Sequence, residues 1–202
     1  MRLRKLIGVV WDLLYIEGRR PDVGARREHF VRTILRKELG LNITAAPELD
    51  RQLDFYVEIE GKQYPVSVKT LENIGVLKVA WNGHPSRDRA EEFEFSIPIL
   101  FLTRSGGGFY LFELDDIKKV RAELIFDAFW QPFADTSGNP RGFGIKGQAV
   151  RKLMKIAKEK GNFVEVPFQE IIVDGKIKEL YFNKWYNMLL ELAEPFFNSE
   201  VK

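Results

Sequence analysis

"LDFYVEIEGKQYPVSVKT", residues 53–70, decides how the middle of this chain folds. Two runs alternate apolar with polar side chains, Phe55 to Ile59 and Pro65 to Lys69, and the "EGKQ" between them is turn chemistry, so the stretch reads as a β-hairpin. Glycine at the first central position of a two-residue loop suits a type II′ turn. Gly61 and Lys62 then form the loop, and Glu60 pairs with Gln63. Counting back sets Glu58 across from Pro65, Tyr56 from Ser67 and Asp54 from Lys69. Phe55, Val57, Val66 and Val68 share the other face, and its burial holds the register because a one-residue slip would expose it. Directly opposed side chains stand about 5 Å apart at Cβ, so Asp54 and Lys69 meet at the open end of the hairpin. Taken alone, the pair is a cross-strand salt bridge, worth about 0–1 kcal/mol at a surface.

Upstream, Leu3, Leu6, Ile7, Val10, Leu13 and Leu14 recur at helical spacing until Gly18. A second helix follows, with Asp22 as its N-cap, Phe30, Ile34 and Leu35 on one face, and Gly40 where a left-handed residue ends the helix. Downstream, "TLENIGVLKVAWNGHPSRDRAEEF" turns polar and irregular towards its end. "SIPILFLTR" is apolar enough for a fully buried strand, and "SGGG" turns it into "FYLFEL". Asp115 or Asp116 can cap a helix running to about Trp130. "QPFADTSGNPRGFGIKG" reads as a long loop, and "QAVRKLMKIAKEK" as a basic helix before two short strands around "VDGK" and a closing helix. Helices, strands and helices again imply an α/β fold with a mixed central β-sheet flanked by helices. One domain over 1–202 is expected, with a core over about 22–125 and a helical and hairpin elaboration over about 126–202.

Composition narrows the chemistry. With no cysteine among 202 residues, disulfides, thiolate zinc sites and cysteine nucleophiles are excluded. Two histidines, His29 and His84, are too few for a histidine-rich metal centre. Charged residues make up 30% of the chain yet nearly cancel, 31 basic against 29 acidic, so a polyanion must be met by a local patch. Asp12 and Glu17 interrupt the first apolar run, no small-residue cleavage site follows, and no run approaches membrane-spanning length. A cytoplasmic protein with no membrane partner is expected.

The hairpin and its neighbours resemble the PD-(D/E)xK nuclease superfamily, to which many type II restriction endonucleases belong. Asp54 matches the first acid, Ser67-Val68-Lys69 occupies the acid-x-Lys position, and Glu28 in "GARREHFVRTIL" sits where a helix glutamate belongs. The resemblance spans about residues 22–120. It implies a restriction-endonuclease-like core and hydrolysis of phosphodiester bonds with Mg²⁺, a cation suited to oxygen ligands. Asp54 and Glu28 would be the metal ligands, while Lys69 would stabilise charge on the phosphate or orient the attacking water. Ser67 departs from the pattern, since a hydroxyl brings no negative charge. Glu58 cannot compensate, because it lies about 13 Å along the strand. Ser67 and Lys69 do share a face, about 7 Å apart, but no strained, glycine-flanked serine offers an oxyanion hole, which disfavours serine hydrolysis.

Double-stranded DNA is the implied partner, and cutting both strands of a palindrome implies a homodimer. "GNPRGFGIKGQ" fails as a phosphate loop because its spacing to Lys146 is wrong. Asn139, Arg141 and Lys146 in that stretch, and Asn82, His84, Arg87 and Arg89 after the hairpin, are the candidate DNA contacts; Arg141 suits guanine and Asn139 adenine. The basic helix has a plainer reading as a solvated face. The implied function is a sequence-specific Mg²⁺-dependent endonuclease. A structure-specific or repair nuclease of the same superfamily, or a catalytically silent DNA-binding module, are the alternatives.

Overall fold

A computed structural model describes residues 28, 31–33, 35–36, 40–46, 52–80, 87–133, 142–166 and 168. In chain order its strands are β1 (Asn42–Ala45), β2 (Phe55–Ile59), β3 (Lys62–Leu71), β4 (Leu77–Ala80), β5 (Ile99–Thr103), β6 (Gly108–Phe112), β7 (Trp130–Pro132), β8 (Phe143–Ile145) and β9 (Phe163–Glu165). The helices are α1 (Arg87–Glu92), α2 (Leu114–Glu123), α3 (Phe126–Phe129) and α4 (Gly147–Glu159). The chain divides into two compact units, Met1–Asn42 with Val166–Lys202, and Ile43–Glu165. In the first, residues 28, 31–33 and 35–36 are helical, and Gly40 takes the expected left-handed conformation at φ 65°. The opening helix, the "VDGK" strands and the closing helix lie outside the described residues.

The second unit holds the expected mixed sheet. Six strands run in the order β1-β2-β3-β5-β6-β9. The β2·β3, β5·β6 and β6·β9 pairs are antiparallel, and β3·β5 is parallel. "SIPILFLTR" supplies β5 at the centre, buried on both faces: Ile99, Phe101 and Thr103 on one, Leu102 on the other. Registers Phe101↔Tyr110 and Ile99↔Phe112 put these rings on one face, where they join the core built with Ile117, Val120, Val150 and Leu153 of α2 and α4. By the β3·β5 register, Ser67 and Lys69 lie on that same face, level with Ile99 and Phe101.

The hairpin forms with a register different from the expected one. Ile59 pairs with Lys62 and Phe55 with Val66, so Glu60 and Gly61 are the two turn residues. Their φ angles, 52° and 77°, are both positive, as a type I′ turn requires. Strand pairing thus shifts by two residues from the count that placed Gly61 first. A two-residue shift keeps the faces: Phe55, Val57 and Val68 are still buried together.

Three other expectations are corrected. The helix starting near Asp115 begins after Glu113 with no side-chain cap, and ends at Glu123, where Leu124 turns extended. Asp116 is instead buried inside the helix against Lys160, 2.7 Å away. Parts of the stretch read as a long loop, β7 and β8, form a second sheet with β4, ordered β4-β8-β7. Gly144 belongs to it, and a Cβ there would fall 2.5 Å from the Leu77 carbonyl oxygen, so this glycine serves close strand approach.

Candidate active site

Regular β2·β3 pairing stops at Phe55↔Val66, and Asp54 lies one residue beyond it. Continuing the count sets Asp54 across from Ser67, with Lys69 the next residue on that face. Asp54 Oδ2 accepts the Val68 N–H at 2.5 Å and the Ser67 hydroxyl at 3.3 Å, and Lys69 Nζ stands 3.6 Å away. The side chain does in this way what the ladder no longer does: it satisfies a backbone donor next to the strand end. The main chain of Asp54 is fixed too, its N–H donating to Val66 O at 3.0 Å and its carbonyl accepting from Ala46 at 3.4 Å. The expected meeting of Asp54 and Lys69 is therefore present, reached through a different register.

Among the described residues, the contacts of the Asp54 carboxylate fall on Oδ2. Its side chain is 19% exposed and that of Lys69 22%, whereas Ser67 is only 3% exposed. An acid and an ammonium thus reach solvent at one edge, with a buried hydroxyl behind them. Gln52, Ser67, Lys69, Val79, Phe93, Phe95, Ile97 and Ile99 line a hollow there. Its wall is braced by Arg121, whose guanidinium donates to the Phe93 and Glu91 carbonyls and lies 5.5 Å over the Trp130 ring.

Magnesium retains most of its waters and is commonly held by one or two carboxylates, and the partly exposed Asp54 carboxylate beside a hydroxyl could supply one such oxygen ligand. Among the described residues no group of three histidine, cysteine, aspartate or glutamate side chains gathers that could hold a metal. Glu28 is helical and half-buried in the first unit.

The candidate DNA contacts fall differently. Asn82, His84, Asn139 and Arg141 lie outside the described residues. The strands that carry their segments, however, end together: Ala80 and Pro132 both pair with Phe143, at one end of the small sheet. Val79, one residue earlier, lines the hollow with Ser67 and Lys69. Arg87 is exposed on α1, bonded to Glu91 at 2.9 Å and 4.4 Å over the Phe126 ring; Arg89 is exposed on the same helix. Lys146 precedes α4 and its ammonium donates to the Asp127 carbonyl at 2.8 Å. On α4, Lys152 pairs with Glu123 and Lys155 with Glu159, while Lys158 lies over the Phe163 ring, which favours the plainer reading of the basic helix.

Fold and geometry together define an α/β domain with an acid and a lysine at the mouth of a hairpin in a mixed sheet. No protein-family model and no curated protein matches the chain. Among solved structures, a restriction endonuclease in complex with substrate DNA matches over 83% of this chain and 82% of its own, at TM-score 0.59 and 18% identity. The chain shares that protein's fold. A bacterial homing endonuclease aligns over 68% of this chain and 91% of its own, at TM-score 0.28 and 17% identity.

Proposed function

We propose that the protein is a Mg²⁺-dependent DNA endonuclease, of the sequence-specific type II kind. The observation that carries this reading is the Asp54-Ser67-Lys69 constellation on adjacent strands of a restriction-endonuclease-like fold. Double-stranded DNA would lie across the hollow with a phosphate facing the Lys69 ammonium and the ion held by Asp54. Asp54 would hold the ion through Oδ1, since Oδ2 is engaged by Val68 N–H. Bound there, magnesium would neutralise phosphate charge and acidify a bound water. Lys69 would direct its ammonium at the phosphoryl oxygen on which charge develops as water adds to phosphorus and the bridging P–O bond breaks. The resemblance assigns the second carboxylate to Glu28; a loss of metal affinity in Glu28→Gln as large as in Asp54→Asn would support that role. Asn82, His84, Asn139 and Arg141 would read bases.

Incubation of the pure protein with plasmid and phage DNA plus Mg²⁺ tests this. Discrete fragments are expected, with the rate reduced about 10²-fold or more in Lys69→Ala. Cutting of branched substrates in preference to linear duplex would redirect the reading to a structure-specific nuclease. Absence of cleavage on every substrate would sink it. Ser67, buried and uncharged where the resemblance expects an acid, favours a second reading, a silent DNA-binding module. DNA affinity independent of both metal and Asp54 would establish that one.

A further inference from the structure

We propose that Gln52 is a positioning residue for the Asp54 carboxylate; this rests on the nuclease reading of the site. Gln52 stands two residues before Asp54 and lines the same hollow as Ser67 and Lys69. Its amide is engaged at both ends. Nε2 donates to the Glu94 carbonyl at 3.0 Å, and Oε1 accepts from Ser96 N–H at 3.4 Å and Ser96 Oγ at 3.3 Å.

The segment held in this way, residues 94–98, leads into β5. Ser67 is attached to it as well, donating its N–H to the Pro98 carbonyl at 3.2 Å. Both sides of the site are therefore referred to one short segment, Ser67 through its own backbone and the Asp54 side through the Gln52 amide. That link is needed where it is because Asp54 overhangs the ladder. Register pairs end at Phe55↔Val66, so beyond the Asp54 main-chain bonds to Val66 and Ala46 the Gln52 amide is a further tether on this end of the strand. The 2.5 Å bond to Val68 N–H and the 3.6 Å approach of Lys69 depend on where that overhang sits. Since an error of about 1 Å in a reacting group can cost about 10²-fold in rate, a residue that sets the overhang governs turnover without touching DNA.

Gln52→Ala is expected to lower kcat about 10–100-fold while KM and Kd for DNA stay within about 2-fold. Ser96→Ala, which keeps the backbone bond, should lower kcat by a few-fold, and the double variant should be no worse than Gln52→Ala alone. Amide hydrogen exchange gives a readout free of activity: Val68 N–H should exchange about 10-fold faster in Gln52→Ala, with Phe101 N–H in the adjacent strand unchanged. A kcat within about 2-fold of the parent would overturn the proposal. So would lost DNA affinity at unchanged kcat, which would make Gln52 a DNA contact. If Gln52→Ala does not fold, Ser96→Ala decides, and unchanged kcat overturns. If the parent protein cleaves nothing, the nuclease reading fails, and exchange at Val68 N–H alone judges Gln52, with unchanged exchange overturning its role.

Discussion

Ser67 sits 3.3 Å from Asp54 Oδ2 at a position 3% exposed, and this makes it the sharpest probe of the site's chemistry. An aspartate there would press a second carboxylate against the first. Like charges at that spacing cannot both ionise without a cation or a proton between them. Ser67→Asp is therefore expected to lower the Tm by about 5 °C in EDTA, as about 2 kcal/mol does in a domain of this size. Millimolar Mg²⁺ or Ca²⁺ should recover it, read by differential scanning fluorimetry; Tm values indifferent to metal would remove the metal from Asp54. At this scale the sequence was informative about identity and less so about reach. Asp54 and Lys69 are legible as neighbours because the hairpin puts them on one face, whereas Gln52 has its partners at 94–96, some forty residues away in sequence. The alternation 52, 54, 56 was the one local signal that could have found it.

At the scale of elements, the hairpin turn carries a strain that can be relieved. Glu60 holds φ at 52°, a conformation that costs a residue with a side chain about 1–2 kcal/mol, and asparagine followed by glycine is the pair this turn prefers. Glu60→Asn should stabilise the protein by about 0.5–1 kcal/mol in urea denaturation without changing cleavage, because the register and the site stay as they are. A destabilised variant would mean that the turn is not of type I′. The other test concerns the lock between α2 and α4. Lys160 Nζ lies 2.7 Å from both Glu113 Oε2 and Asp116 Oδ2, and Asn162 Nδ2 donates to Glu113 Oε1 at 3.0 Å. The hydrogen bond from Lys160, with that from Asn162, holds Glu113 below its ordinary 4.5, while bonds to Asp116 and then Glu113 raise Lys160 above 10.5. The contribution of Glu113 is thus present above pH 4.5 and lost as pH falls through its lowered value. That of Lys160 is present below pH 10.5 and lost as pH rises through its raised value. Lys160→Met should fall short of the parent in stability across the window between, with the gap closing at both extremes in pH-dependent thermal unfolding.

For the whole molecule, the reading of palindromic cleavage makes a quantitative demand. Sedimentation of the protein on its recognised duplex should show two copies of the 23.5 kDa chain, and a single copy would point to nicking or branched substrates. Among the described residues no helix is long and apolar enough to cross a membrane. What the sequence by itself determined is the pattern of faces: the hairpin with Phe55, Val57 and Val68 on one side and Asp54, Ser67 and Lys69 on the other, the doubly buried strand within "SIPILFLTR", and a basic helix over "QAVRKLMKIAKEK". Only the tertiary structure decided the register, the strand order and the small β4-β8-β7 sheet. The reason is the period of the strand. Alternation records which face a residue is on, but a two-residue slip leaves every face unchanged, so the level at which Asp54 meets Ser67 and Lys69 was settled by the Glu60-Gly61 turn. The acid-lysine pair "LD" to "VK" is legible in one dimension; its geometry is set by strands brought in from the rest of the chain.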